Sequence, residues 1–367
     1  MNAKTPTRFR LAALVAAGLL VASCSGGDTG DGAGDTTLAP SSTAAAASTV
    51  TSTTKPLATT SSAVTDDTVP SAPVMPLTGL PIDDEQIAVR PAMVAKIDNH
   101  PQARPQYGLN SADIVFEENV ESLTRFAAVF HGQTVDRVGP IRSGRTQDVD
   151  LLGSFDKPMF VWSGGNPNVT RTISESDLVS LSPTTTRNVG FFRSRRGNED
   201  SEHTLYANTG GLWLSFTRIY APAPPQQFRY RTPDEAFNGE AAEGVDVKMD
   251  GVNVTWTWDA PTASYLREQG GRPHDDATLG QVNAANVVVL EVDYQPSPAD
   301  ARSPEAQTVG TGMAYVFTGG VLTRGTWTRD DRLDTFELVD VDGAAIGLTP
   351  GRTWVELARV GTTTPLL

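Results

Sequence analysis

Of 367 residues only one, Cys24, is a cysteine, and only four are histidines. One sulfur cannot close a disulfide framework or a zinc site made of several thiolates. Positive charge is also scarce, with 29 Lys and Arg against 43 Asp and Glu and a net charge of −14. A nucleic-acid partner is therefore not expected, because such a surface needs a basic excess to replace condensed counterions. Between Ser25 and Met75 there is no aromatic residue, while 20 of the 51 positions are Ser or Thr. That stretch has too little apolar surface to offset its ordering entropy, and it reads as a disordered tether.

What precedes the tether gives the chain its expected address. Lys4, Arg8 and Arg10 lead into an uncharged apolar run, Leu11 to Ala22. This is too short for a bilayer of roughly 30 Å but right for the core of a signal peptide. The run ends in Val21-Ala22-Ser23-Cys24, which resembles a bacterial lipobox. Residues 1–23 are thus expected to be a lipoprotein signal peptide, and residues 24–75 a lipidated Cys24 with its tether. The expected partner is the lipid bilayer, reached through Cys24, and the expected location is the extracytoplasmic face of the cell membrane. Two acyl chains hold a protein there where one would not. The leader carries +3 and the tether −4, so residues 76–367 keep a charge of −13.

Ordered structure is expected from about Pro76, as two domains, 76–230 and 231–367, separated near Ala221-Pro222-Ala223-Pro224-Pro225. The first reads as mixed α+β with short helices. Strands are expected at Met93 to Ile97, Asp113 to Glu117, Thr124 to His131 and Lys157 to Trp162, with helices at Arg145 to Phe155, Pro167 to Ser174 and Ala207 to Phe216. The second reads as mostly antiparallel β, with strands at Val245 to Met249, Val252 to Trp258, Asn286 to Val292, Gly312 to Phe317, Gly325 to Arg329 and Thr335 to Val341. Asp342-Gly343 is a two-residue hairpin turn signal. The fold class is α+β.

Several uncommon strings resemble the YerB-like lipoprotein family, a two-domain family of unknown function. They include Arg90-Pro91-Ala92-Met93-Val94, Asp98-Asn99-His100-Pro101, Ala103-Arg104-Pro105-Gln106, Thr124-Arg125-Phe126 and Gly139-Pro140-Ile141-Arg142-Ser143 with Arg145. Past the break they include Tyr265 with Arg267, His274 with Asp276, Gly325-Thr326-Trp327 and Thr353-Trp354. The resemblance implies an envelope location and the two-domain architecture, but no reaction. The chain departs from the pattern at Trp162, where a histidine is expected, and before His203, where a proline is.

The residues themselves point to a polar site. Asp98-Asn99-His100 ends a strand, where side chains enter a shared cleft; a hydrogen-bonded turn closed by Pro101 accounts for them equally. Arg142 and Arg145 precede a helix and can clamp a carboxylate or phosphate, unless internal acids such as Glu117 or Glu118 take them up. His203 and His274 are the better proton carriers of the four histidines, and Asp98 with Glu117 is a possible acid pair. Trp256 and Trp258 share a strand face, as a sugar-stacking platform or as core. Convergence of Asp98, Asn99, His100, Glu117, Arg125, Arg142, Arg145 and His203, with His274 and Asp276 closing from the second domain, would mark a ligand site. No metal or cofactor is expected: no HExxH-type string occurs, and a cluster of His274, Asp276 and a third ligand has little else behind it. The expected function is binding of a cell-envelope ligand rather than catalysis, with hydrolysis of envelope glycan or peptide as the alternative.

Overall fold

The structure is a computed structural model that describes residues 73–216 and 221–367. Cys24, the signal peptide and nearly all of the tether lie outside these residues. The class is α+β, as the patterning predicts, and strand dominates over helix.

Both halves of the chain build one large mixed sheet. The first half supplies β1 (Met93–Asp98), β2 (Ile114–Val120), β3 (Leu123–Phe130), β4 (Met159–Val161) and β5 (Val179–Leu181). The second supplies β6 (Asn286–Val292), β7 (Gly310–Thr318), β8 (Val321–Arg329), β9 (Glu337–Asp340) and β10 (Thr353–Arg359). The order across the sheet is β9-β8-β7-β6-β10-β2-β3-β1-β4-β5. The seam is the parallel pairing of β2 with β10, in register from Ile114 opposite Thr353 to Glu117 opposite Glu356. The segments expected as successive domains therefore share one hydrogen-bonded sheet.

Each face of this sheet is covered, which is why β1, β2, β6 and β10 are buried along nearly their whole length. Side chains alternate between faces along a strand. From β1, Met93, Ala95 and Ile97 enter one core, where a five-stranded antiparallel sheet packs with Val245, Val247, Trp256 and Tyr265. Val94 enters the other core, with Leu151, Phe155, Val169 and Ile173 from the helical layer. Lys96 follows Val94 in alternation and so falls on the helical side. Glu117 and Glu118 are likewise sent to opposite sides of β2.

The short helices form close to where the sequence places them. α1 (Gln147–Leu151) runs on into a 3-10 turn at Gly153–Phe155. α2 (Pro167–Glu175) is started by Pro167 at its first turn and by Asn166, whose side chain accepts from the Val169 N–H. α3 (Thr209–Phe216) starts two residues later than expected, because Leu205–Ala207 pairs with Phe191–Arg193 as a strand. The turn at Asp342-Gly343 forms, with Gly343 at φ 83°, but its return limb makes only a bridge, Val339 to Ala345. A hairpin that the patterning does not reveal, Tyr294–Ser297 with Asp300–Ala306, reaches back onto the first half. There Arg145 donates to Ser303 and the Gln147 side chain accepts from the Ala306 N–H.

Candidate functional site

Nine of the ten candidate residues fall into three groups, and Asp276 stands outside them. Asp98, His100, His203 and Arg142 form the first, at the C-terminal end of β1. The His203 Nδ1–H donates to Asp98 Oδ2 at 2.6 Å, and His203 Nε2 faces Glu202 at 3.5 Å. Arg142 bridges the same two carboxylates, with Nε 3.2 Å from Asp98 and Nη1 3.1 Å from Glu202. His100 lies flat on His203, ring centroids 4.3 Å apart, and its Nδ1 accepts from the Gln102 N–H. His203 is thus held between two carboxylates, and no hydroxyl among the described residues hydrogen-bonds to its ring.

Arg145 and Arg125 form the second group, around a cavity of about 420 Å³ at the junction of the two halves. Ser143, Ser163, Gly164, Asn166 and the hairpin residues Ser297 and Asp300 line it with Arg145. Arg145 is pinned there: Nη2 donates to both Glu121 oxygens at 2.8 and 2.9 Å, and Nε donates to Ser303 at 3.0 Å. Behind it, Arg125 donates to the Ser143 carbonyl at 2.9 Å. No carboxylate among the described residues comes within ion-pair distance of Arg125. Burial, then the neighbouring Arg145 and Arg142, push its guanidinium down to about 9. The acids that engage the Arg142 and Arg145 pair are therefore Asp98, Glu202 and Glu121. Glu117 and Glu118 are used elsewhere because β2 turns them into the two cores.

Asn99, Glu117 and His274 form the third group, enclosed between the two sheets. Arg267 donates to Glu117 at 2.6 Å and also to His274 Nδ1. The remaining His274 N–H donates to Gln106 at 2.8 Å, and the Gln106 amide donates back to the Asp98 carbonyl at 2.9 Å. Asn99 donates to Thr124 and Gln269 and accepts from Arg104. Burial and the adjacent Arg267 hold the His274 imidazole well below its usual range, so it is neutral. The Gln106 link ties this group to β1 but does not open a cavity there. Asp276 stands apart as a turn residue, accepting from the N–H groups of Thr278, Leu279 and Asn110. The proposed closure of the site by His274 and Asp276 is thus replaced by an internal network and a turn.

Trp256 is buried, packs on Trp354 at 5.2 Å and donates to Glu356 at 2.9 Å, so it is core rather than platform. His131 is structural: it is buried, bonded to the Arg90 carbonyl at 3.0 Å, and pushed down to about 4 by burial. No group of three or more His, Cys, Asp or Glu among the described residues is arranged to hold a metal ion. Nor is any described helix long and apolar enough to cross a membrane.

The sequence reading missed the two buried charge clusters. On the helical side Lys96 donates to Glu118 and, at 2.7 Å, to Asp148, all three fully enclosed. On the other side Glu356 faces Glu117 across the seam and shares Arg267 with it. Burial, then the Glu117 charge, raise the Glu356 carboxyl well above the usual range. The available signal was a charged residue inside an apolar strand, as in Met93-Val94-Ala95-Lys96-Ile97 and Trp354-Val355-Glu356-Leu357.

Residues 77–221 match the family described as "Protein of unknown function (DUF3048) N-terminal domain", and residues 245–355 match its C-terminal domain. The Bacillus subtilis (strain 168) protein named "Putative lipoprotein YerB" is 27% identical over 295 residues, covering 77% of this chain and 85% of that protein. The crystal structure of the YerB protein from Bacillus subtilis superposes with a TM-score of 0.70 at 23% identity, covering 80% of this chain and 99% of that one. Both halves of the shared sheet are therefore accounted for by one family, and the chain belongs to the DUF3048 family of YerB-like proteins.

Proposed function

We propose that this protein is a lipoprotein anchored through Cys24 on the extracytoplasmic face of the cell membrane, and that its folded part binds a small anionic, hydroxyl-bearing envelope ligand. The observation that carries the binding reading is the cavity at Arg145. It lies at the seam of the two halves, a common place for ligand sites. Its guanidinium is oriented in advance by Glu121 and Ser303, and Arg125 stands behind it without a carboxylate of its own. Ser143 and Ser163 add hydroxyls, and Asn166 adds an amide, suited to a hydroxylated ligand rather than an apolar one. Closure of His203 between Asp98 and Glu202 favours binding over hydrolysis.

Calorimetric titration of the Cys24→Ser chain with N-acetylmuramic acid, whose lactyl carboxylate is free, and with glycerol phosphate, tests the cavity. One of the two should bind. Ser163→Trp, which fills the space, and Arg145→Ala should each weaken that binding at least tenfold, the size expected for losing a charge-assisted contact. Heat-free titrations with both ligands would reject the reading. The anchor has its own test: Cys24→Ser should move the protein from the membrane fraction to the soluble one, and unchanged fractionation would refute attachment through that residue.

A further inference from the structure

Two cavities adjoin on the outer side of β9, far in sequence from Arg145. One, of about 360 Å³, lies between Gln226–Arg229 and Thr335–Val339. The other, of about 340 Å³, is bounded by Arg229, Arg231, Phe237 and Gly347. They share Arg229, Ala345 and Ile346 and so form one groove. Its floor is apolar, because Phe228, Phe336, Leu338 and Ile346 belong to the core of the helical side and show only their outer surfaces here.

Charge at one end of the groove is uneven. Arg229 is fully engaged by Glu235, at 2.7 and 2.8 Å. Asp340 is satisfied by Asn238 and by the N–H groups of Asp342 and Ala344. Arg231 has no carboxylate within ion-pair distance among the described residues. Its Nη1 donates to the Glu235 carbonyl, its Nε is enclosed without an acceptor, and its guanidinium lies on the Phe237 ring at 3.5 Å. The backbone is built to allow this. A Cβ at Gly347 would come within 2.7 Å of Arg231 Cγ and 2.2 Å of Arg229 Nη1, so a side chain at 347 would displace the stem of Arg231 and move the tip of Arg229.

The groove does not offer a free sheet edge. Ile346 N–H donates to the Leu338 carbonyl and Asp340 N–H to that of Ala344, while Leu348 and Arg231 exchange bonds with the 229–231 and 348 backbone. An added peptide strand would find no row of unpaired donors and acceptors, which is what strand addition requires. A hydrocarbon chain needs none. We propose that this groove binds an anionic amphiphile, with its chain along Phe336, Leu338 and Ile346 and its carboxylate or phosphate on Arg231. The inference is independent of the Arg145 cavity, and either can fail without the other.

The test uses the Cys24→Ser chain and the fluorescent fatty acid dansyl-undecanoate. Saturable enhancement is expected, reversed by laurate or dodecyl phosphate at concentrations roughly tenfold below those needed with dodecanol, since the uncharged head forgoes the charge-assisted bond. The stronger of the two anionic competitors identifies the head group. Arg231→Gln should remove the preference over dodecanol while keeping chain binding. Ile346→Trp, checked for folding by thermal denaturation, should abolish binding of the probe. Absence of saturable enhancement, equal competition by dodecanol in the parent chain, or unchanged binding in both variants overturns the proposal.

Discussion

Lys96→Met should destabilise the folded part by about 3–5 kcal/mol, the usual loss when one member of a buried ionic cluster is removed. Lys96, Glu118 and Asp148 are all fully enclosed, and one Glu118 oxygen already lacks a partner. Burial has pushed the Lys96 ammonium down to about 8, chiefly against the opposing pull of Asp148. Taking the cation away leaves two carboxylates that must either stay charged in the core or take up protons. Burial without a counter-ion disfavours the charged form of a carboxyl and raises its pKa. Stability conferred by a carboxyl with a raised folded-state pKa is present at low pH and lost as pH rises. The deficit measured by urea unfolding should therefore be larger at pH 8 than at pH 5, and Lys96→Met with Glu118→Gln should recover part of it. An unaltered unfolding midpoint in the single variant would show that the cluster contributes nothing.

Arg267→Met should be comparably damaging, for a related reason on the opposite face. Arg267 neutralises Glu117 directly and offsets the repulsion between Glu117 and Glu356 across the β2–β10 seam. In the intact protein the Glu356 carboxyl is held well above its usual range, so stability falls as pH climbs from the range of a free glutamate toward the folded-state value. Glu356→Gln copies the protonated form. It should flatten that slope, raise the melting temperature most at alkaline pH, and rescue Arg267→Met in part. If Glu356→Gln instead lowers stability equally at all pH values, Glu356 is ionised in the fold.

Local patterning made much of the architecture legible. β1, β6 and α2 carry their own signals, an apolar run, Asn286-Val287-Val288-Val289, and an Asn-Pro helix start. The joining strand β10 did not declare itself, since Thr353-Trp354-Val355-Glu356-Leu357 alternates poorly with a buried Glu at its centre. Its place is fixed by pairing with β6 on one side and, on the other, with β2, more than two hundred positions away in sequence. The same limit applies to the site. Sequence brought Asp98, His100, His203 and Arg142 forward as chemically able residues, and they do meet. It could not tell that Glu202 and Glu121 would occupy the two arginines, because exposed loop acids have no period to read. Residues such as Arg231 and Gly347 were silent for another reason: what matters is the crossing of two side chains over one backbone atom, which only the fold creates.

The parallel seam also governs the order in which the chain can become a protein. β2 is buried along its length, yet on one side its hydrogen-bond partner is β10, whose residues come among the last fifteen of the chain. Until those residues are available, β2 presents an apolar strand with one row of unpaired peptide groups, the kind of edge that recruits other chains. Contacts this distant in sequence also slow folding. The first half can therefore complete its sheet only after β10 is available to join it to β6.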